Sequence, residues 1–173
     1  MPSRWYVRPF VHLTTSLAAL LALTAPAAAA AQDGLPAPAT GPRYINPPGL
    51  TRPSGYTHVV VSSDGRTAYI AGQVAFDSVG QVVGPGDFRA QAAQVFSNLG
   101  RALASVGATF GDVMKTTTYI TDVRNLGMLR EARARYFDST RPPANTLIPV
   151  GALARPELLL EIEAVAEIRP ASR

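Results

Sequence analysis

The segment 142–168 constrains the fold most, because its second half alternates strictly between two kinds of side chain. Glu161, Glu163 and Glu167 share one side of an extended chain with Val165. The other side is apolar throughout and carries Leu160, Ile162, Ala164, Ala166 and Ile168. A period of two residues is typical of a β-strand with one buried face. The segment therefore predicts two strands and a turn, and the second strand presents carboxylates on a face that either meets water or lines a site.

Residues 1–31 have the pattern of a secretory signal peptide. Arg4 and Arg8 precede an apolar run over residues 11–25, and the alanines that follow offer several Ala-x-Ala cleavage sites. Hydroxyl residues interrupt this run, which is shorter than the roughly 20 apolar residues of a membrane anchor. We therefore expect Sec-type export to the periplasm, cleavage near Ala31 and no stable membrane insertion afterwards. A retained N-terminal anchor is the alternative.

Residues 32–54 are rich in Pro and Gly and show no hydrophobic period, which predicts a linker or an extended arm. One folded domain is then expected over residues 55–170. The chain has 47% hydrophobic and 16% charged residues, which is the composition of an ordinary globular protein.

Composition also disfavours several classes of site. The chain contains no Cys, which rules out disulfides, thiolate metal sites and cysteine nucleophiles. The formal net charge is +4, but no run of Lys and Arg indicates a nucleic-acid-binding patch. His58 would be the single histidine left after cleavage, and it has no second ligand or nucleophile at a useful spacing. We therefore expect no nucleic-acid partner, and we expect His58 on the surface of a strand.

Two β-branched and aromatic runs surround Asp64 and Gly65, which predicts a hairpin with a type I′ turn. Gly72 interrupts the second run. A glycine inside a strand indicates either a bulge or a close approach of another backbone or a ligand, and both interpretations stay open here.

Two amphipathic helices are predicted on either side of a Thr-rich strand at 113–121. The first begins after Asp87 as its N-cap and stops at Gly107. The second follows Asn125, and its apolar residues form an inner stripe of Leu126, Leu129, Ala132 and Tyr136. Three arginines of this helix are predicted to point largely outward: Arg130, Arg133 and Arg135.

The resulting order, ββαβαββ, predicts an α+β sandwich in which two helices cover one face of a four- to six-stranded sheet. The second face carries Glu161 and Glu163. A sheet of this size does not leave such a face fully exposed to solvent. We therefore expect another subunit of an oligomer to cover it.

Several stretches jointly resemble the RidA family, also called YjgF/YER057c/UK114: YIAGQVAFDSVGQVV, DVMKTTTYITDV and PPANTLIPVGALARPELLLEIEAVA. The resemblance covers about residues 55–168. It implies a chorismate mutase-like fold, a homotrimer and clefts at the three subunit interfaces. Members with the full site hydrolyse enamines and imines, such as 2-aminoacrylate, to 2-oxo acids and ammonia. Neither a metal nor an organic cofactor is implied.

The resemblance places the water-orienting carboxylate of the family on Glu161 and the aromatic side chain of its cleft on Tyr56. Gly72 belongs to the Gly-Gln motif, and Ala71 stands where the family has a small polar residue. An asparagine that supports the family site falls on Arg130, a residue of the second helix.

The main departure is Asn145, which stands where the family has an arginine that binds the substrate carboxylate. An arginine offers two parallel charge-assisted hydrogen bonds, and an uncharged amide does not replace them. We therefore expect a substrate that is not held by its carboxylate through an arginine, and Asn145 is carried forward as a substrate-binding candidate.

Two interpretations of the carboxylate face remain open. Glu161 either activates water, with Glu163 raising its pKa by like charge, or both carboxylates satisfy interface groups. The corresponding functions are an exported deaminase acting on an enamine, imine or related carbonyl compound, and a non-catalytic trimer that binds a metabolite or a protein. Ribonuclease activity is a third possibility, suggested by a name used in the family. The sequence shows neither the His pair nor the basic stripe that would support it.

Overall fold

The alternating C-terminal segment forms a central strand of the sheet. The computed structural model describes residues 41–169, so the predicted signal peptide and the first part of the predicted linker lie outside the described residues. The strands are β1 Arg43–Ile45, β2 Val59–Val61, β3 Thr67–Gln73, β4 Val113–Ile120, β5 Ala144–Pro149 and β6 Leu160–Glu167. They form one six-stranded sheet in the order β1-β2-β3-β6-β4-β5.

β6 lies between β3 and β4 and pairs antiparallel with both, whereas β5 pairs parallel with β4 at one edge of the sheet. The inward side chains of Leu160, Ile162 and Ala166 are buried, and Glu161 and Glu163 are half-buried on the opposite side. The predicted assignment of the two faces is therefore confirmed.

Two helices, α1 Phe88–Ala104 and α2 Leu126–Arg133, complete the predicted α+β architecture. Asp87 caps α1, because its side chain accepts hydrogen bonds from the backbone N–H groups of Arg89 and Ala90. α1 packs against β3 and β6, and α2 packs beside α1. Among residues 41–169, neither helix is long and apolar enough to cross a bilayer.

The second helix is shorter than its apolar stripe predicted. It ends at Arg133, and the N–H of Tyr136 then donates to the Arg133 carbonyl three residues earlier, which tightens the chain out of α geometry. Tyr136 nevertheless packs inward, where its ring stacks on Phe96 with a centroid distance of 4.6 Å. Leu129 is the buried residue of α2.

An additional strand, β1, precedes the predicted hairpin. It lies in the segment expected to be a linker or an extended arm, and it pairs antiparallel with β2. The observed order is therefore βββαβαββ. A strand of three residues has no readable period, which is why the sequence did not distinguish it from an unstructured arm.

The turn between β2 and β3 is not of type I′, so this part of the prediction was wrong. Gly65 has a φ of 73°, but in the described part of the chain no residue other than glycine has a positive φ. A type I′ turn needs two such residues. The Asp64 carboxylate instead accepts hydrogen bonds from the Ser62 hydroxyl and the Arg66 N–H, which stabilises a different turn.

Gly72 lies in a β-bulge, which confirms the first of its two interpretations. Between Ile70 and Gln73, β3 contributes two residues where β6 contributes one. The extra residue shifts the alternation of β3, so the Gln73 side chain points inward and is buried.

His58 is buried, which contradicts its expected position on a strand surface. Its Nε2 lies 2.8 Å from the Thr51 carbonyl oxygen, and Gln73 Nε2 lies 3.3 Å from its Nδ1. Nδ1 is therefore assigned as the acceptor and Nε2–H as the donor from these partners. The sequence did not show this because the covering segment, which contains Thr51, precedes the strand and has no pattern of its own.

Candidate functional site

The sheet surface opposite the helices, called the open face below, carries the carboxylates. Alternate residues of the inner strands form it: Val60, Tyr69, Ala71, Lys115, Thr117, Tyr119, Glu161, Glu163 and Val165. A groove of about 510 Å³ runs along this surface. Tyr69 is 54% exposed at its wall, so a large aromatic side chain is left uncovered in the single subunit.

Glu161 lies directly over Gly72. A Cβ atom added at position 72 would come within 1.8 Å of Glu161 Oε1, so only glycine leaves room for this carboxylate. The close approach that the sequence offered as the second interpretation of Gly72 is therefore also present, and the approaching group is a side chain. The Glu161 carboxylate thus packs against the backbone of the β-bulge at Gly72.

The pKa of Glu161 is raised, first by burial and second by the negative charge of Glu163. The like-charge contribution was predicted from the sequence, whereas the larger contribution of burial was not. Within residues 41–169 neither carboxylate forms an ion pair. Lys115 lines the same groove as Glu163, and its ammonium group donates to the Thr146 hydroxyl. A carboxyl group of this kind exchanges a proton closer to neutral pH than an exposed glutamate does.

Tyr56 is close enough to Glu161 to respond to its charge. The pKa of the Tyr56 phenol is raised, mainly by burial and also by Glu161. The ring packs edge-on against His58, with a centroid distance of 5.2 Å. Ala71 lines the groove of the open face beside Gly72. Four of the six predicted site residues are thus gathered on one surface: Tyr56, Ala71, Gly72 and Glu161.

Asn145 lies on the other side of the sheet. Its Oδ1 accepts hydrogen bonds from the hydroxyls of Thr116 and Thr118, at 2.9 and 3.2 Å, and both threonines are buried on the inward side of β4. A cavity of about 340 Å³, called the α2 cavity below, lies beside Asn145 and is also lined by Arg130. The two remaining predicted site residues therefore share a second pocket.

Arg133 does not point outward as predicted. Its Nη1 donates to Thr116 Oγ1 at 3.2 Å and to Asn145 Oδ1 at 3.3 Å, and it also lines the α2 cavity. Burial lowers the pKa of the Arg133 guanidinium. Arg130 and Arg135 are exposed, in agreement with the prediction for them.

One subunit consequently does not bring the predicted site together. The Glu161 group lies on the open face, and the Asn145 group lies on the helix-covered side of the edge strand β5. Five of the six residues of β5 are exposed. The two groups therefore do not share one cleft within the described part of a single chain.

Two residues of these surroundings were missed by the sequence reasoning. Gln73 was treated as part of a motif, but its amide is buried and links His58 to the Ala71 carbonyl, 2.9 Å away. Arg133 was assigned to the solvent because of its position on a charged helix. The signal for Gln73 was its place after an interrupting glycine, whereas no local signal marked Arg133.

No group of three or more His, Cys, Asp or Glu side chains within residues 41–169 is arranged to hold a metal ion. The open face offers a half-buried carboxyl group with a raised pKa, the phenol of Tyr56 and a backbone at Gly72 without a side chain. Such a carboxylate accepts a proton from water and returns it to a leaving group.

Comparison with known proteins links these features to a family. The model of the family described as Endoribonuclease L-PSP matches residues 50–168. A mouse 2-iminobutanoate/2-iminopropanoate deaminase is 41% identical over 102 residues, which are 58% of this chain and 73% of the mouse protein. Protein DfrA of Myxococcus xanthus is 33% identical over 111 residues, covering 64% of this chain and 83% of the relative.

Solved structures agree with this relationship. The Rid family protein YyfA of Yersinia pestis has a TM-score of 0.68 at 29% identity, covering 73% of this chain and 99% of that protein. RidA from a Psychrobacter species has a TM-score of 0.65 at 28% identity, covering 72% of this chain and 98% of that protein.

Proposed function

Because the chain belongs to the Endoribonuclease L-PSP family, which includes the RidA/YjgF proteins, we propose that it is an exported, homotrimeric deaminase that hydrolyses small enamines and imines. The observation that carries this proposal is Glu161, half-buried over Gly72, with a raised pKa and no cation paired to it within residues 41–169. The relatives named 2-iminobutanoate/2-iminopropanoate deaminase support the reaction class.

The proposed reaction uses the Glu161 carboxylate twice. It first accepts a proton from a water molecule whose oxygen forms a bond to the imine carbon, and the electrons of the C=N π bond move to nitrogen. The protonated carboxyl group then donates to that nitrogen. The carboxylate then accepts the hydroxyl proton and passes it to the amino nitrogen as C=O forms and the C–N bond breaks, so one imine and one water give one oxo compound and one ammonia.

Assembly into a trimer is proposed from the uncovered surfaces of the subunit. The open face exposes Tyr69 and contains the groove, and among residues 41–169 no strand pairs with the outer side of the edge strand β5. Pairing these surfaces between subunits would bring the Asn145 group of one subunit toward the Glu161 group of another.

The proposal is tested with freshly generated 2-aminoacrylate and the purified protein, by following the release of pyruvate and ammonia. We expect a rate above that in buffer, and a loss of about 100-fold or more in the Glu161→Gln variant. Glu167→Gln is the matched control, because Glu167 lies on the same strand but is exposed at its end. A rate equal to buffer, unchanged in Glu161→Gln, would exclude the reaction.

A non-catalytic metabolite-binding trimer is the second candidate, and it is favoured by the replacement of the family arginine with Asn145. It predicts ligand-induced thermal stabilisation without turnover: a ligand at 100 times its Kd adds about 2.7 kcal/mol. Turnover that depends on Glu161 separates the two candidates. No stabilisation across a broad metabolite panel would count against binding without catalysis.

Ribonuclease activity is not proposed, although the family description names an endoribonuclease. His58 is the only histidine among residues 41–169, and both of its ring nitrogens have protein partners. It is therefore in no position to act as the base or acid of RNA cleavage. RNA cleavage that survives further purification and is lost on a single substitution would reverse this view.

Export is proposed from residues 1–31, which lie outside the described part of the chain. The expected result is a protein that is recovered in the periplasmic fraction and begins close after Ala31. N-terminal sequencing of the purified protein checks this. An intact N-terminus in the membrane fraction would support a retained anchor.

A further inference from the structure

Asn145 contacts an arginine that comes from the end of α2. Arg133 Nη1 donates to Asn145 Oδ1 at 3.3 Å and to Thr116 Oγ1 at 3.2 Å. The guanidinium is therefore anchored next to the strand position at which the RidA resemblance places an arginine. The carboxamide that replaces that arginine serves as its hydrogen-bond acceptor.

This anchoring uses only one nitrogen of the guanidinium. Within residues 41–169 the Nε and Nη2 atoms of Arg133 make no hydrogen bond, and Arg133 forms no ion pair. The ring of Phe137 supports the guanidinium, with Arg133 Cζ 4.8 Å from its centroid. The unpaired edge carries two N–H groups at the spacing of the two oxygens of a carboxylate.

The surroundings of Arg133 favour an anion with a small apolar part. It lines the α2 cavity of about 340 Å³ together with Arg130, and none of the lining residues in the described part of the chain is an Asp or Glu. The side chains of Leu126 and Leu147 form an apolar part of the wall of this cavity. Burial lowers the pKa of the Arg133 guanidinium, which reflects partial loss of its water shell and strengthens its attraction for an opposite charge.

We propose that Arg133, oriented by Asn145, binds the carboxylate of a small 2-imino or 2-oxo acid in place of the arginine that β5 lacks. The inference rests on the proposed function and specifies its substrate class. It replaces the expectation, drawn from the sequence, of a substrate that is not held through an arginine. Arg133 is then a specificity-determining residue, and Asn145 is a positioning residue.

The test measures binding of stable probes by calorimetry with the purified full chain. Pyruvate carries the carboxylate, and pyruvamide is its neutral counterpart. We expect Arg133→Gln to weaken pyruvate binding by about 10- to 100-fold, the loss of a charge-assisted pair, and to change pyruvamide binding by less than about 3-fold. Arg135→Gln is the matched control, because Arg135 is an exposed arginine just beyond the same helix.

Arg133→Lys is a second variant that tests the inference if Arg133→Gln fails to fold. It keeps the charge and loses the two-pronged geometry, so we expect pyruvate affinity between those of the wild type and Arg133→Gln. Undetectable pyruvate binding by the wild type, equal affinity in Arg133→Gln, or an equal loss in Arg135→Gln would each overturn the inference.

Turnover of 2-aminoacrylate is a separate readout. Pyruvate binding that depends on Arg133 in a protein without turnover would overturn the proposed reaction and support this inference. Turnover with pyruvate binding that is independent of Arg133 would overturn the inference alone.

Discussion

Glu161 occupies the space that a side chain at position 72 would need: a Cβ there would lie 1.8 Å from Glu161 Oε1 and 2.7 Å from its Cδ. The glycine of the Gly-Gln motif is therefore explained by the carboxylate above it. The bulge that contains Gly72 also turns Gln73 inward, where it binds His58. One local irregularity thus positions both the candidate catalytic group and the buried network beneath it.

Gly72→Ala is expected to displace the Glu161 carboxylate and leave the fold intact, because the atoms in the way belong to the end of a flexible side chain. A misplacement on the order of 1 Å costs roughly 100-fold in rate. We therefore expect kcat/KM for 2-aminoacrylate to fall by about that factor, with an unchanged circular dichroism spectrum. Gly111→Ala, where the nearest atom lies at an ordinary 3.5 Å, should retain wild-type activity. Full activity in Gly72→Ala would show that the position of Glu161 does not matter.

The acid limb of the pH profile should reflect the raised pKa of Glu161. The carboxylate must be ionised to accept a proton from water, so kcat/KM should fall on acidification with an apparent pKa above the 4.5 of an ordinary glutamate. Glu163→Gln removes the second cause of the shift and should move this limb to lower pH. Steady-state rates from pH 4 to 8 check both statements, and a limb that Glu163→Gln moves to higher pH would contradict the account.

Stability should also depend on Glu161, in a direction fixed by the sign of its shift. The folded state holds the proton to higher pH than the unfolded state, so stability falls as pH rises from the unfolded pKa through the folded pKa. A glutamine at position 161 does not ionise, so the Glu161→Gln variant does not lose stability in this way. We expect its Tm to exceed that of the wild type at pH 8 and the difference to shrink below pH 4.5, as measured by calorimetry. A lower Tm in Glu161→Gln at pH 8 would assign Glu161 a stabilising role.

The proposed trimer is tested by placing a charge on the open face. Val165 lines the groove outside the buried core, so Val165→Glu should fold but disfavour any subunit that packs there. Light scattering is expected to show a trimer for the wild type and a monomer for Val165→Glu. Val79→Glu is the control, because Val79 is 77% exposed in a loop and should not affect assembly. A monomeric wild type would remove the basis for a shared cleft.

The sequence predicted those features that depend on local period and capping. The alternation in β6 assigned Glu161 and Ile162 to opposite faces, and Asp87 marked the start of α1. These predictions succeed because a strand period and a helix cap are properties of neighbouring residues.

The features that it missed depend on contacts between distant segments. Arg133 belongs to a helix with charged neighbours, and its inward direction arises only because β5 places Asn145 beside Thr116. His58 is buried by a segment with no pattern of its own, and β1 is too short to show one. That Asn145 stands at the position of the family arginine remains a prediction, and the contact of Arg133 with Asn145 became visible only in the structure.

A cleft built from Glu161 of one subunit and Arg133 of another is tested most directly by activity in mixed trimers of two impaired variants, at a substrate concentration well below KM, where the weaker binding of Arg133→Gln also lowers the rate. Glu161→Gln and Arg133→Gln chains are unfolded together in equal amounts and refolded. We expect activity to reappear in about a quarter of the clefts, because at each of the two positions half of the subunits carry the intact residue. Activity no higher than that of the separate variants, in trimers shown by mass spectrometry to contain both chains, would contradict this expectation.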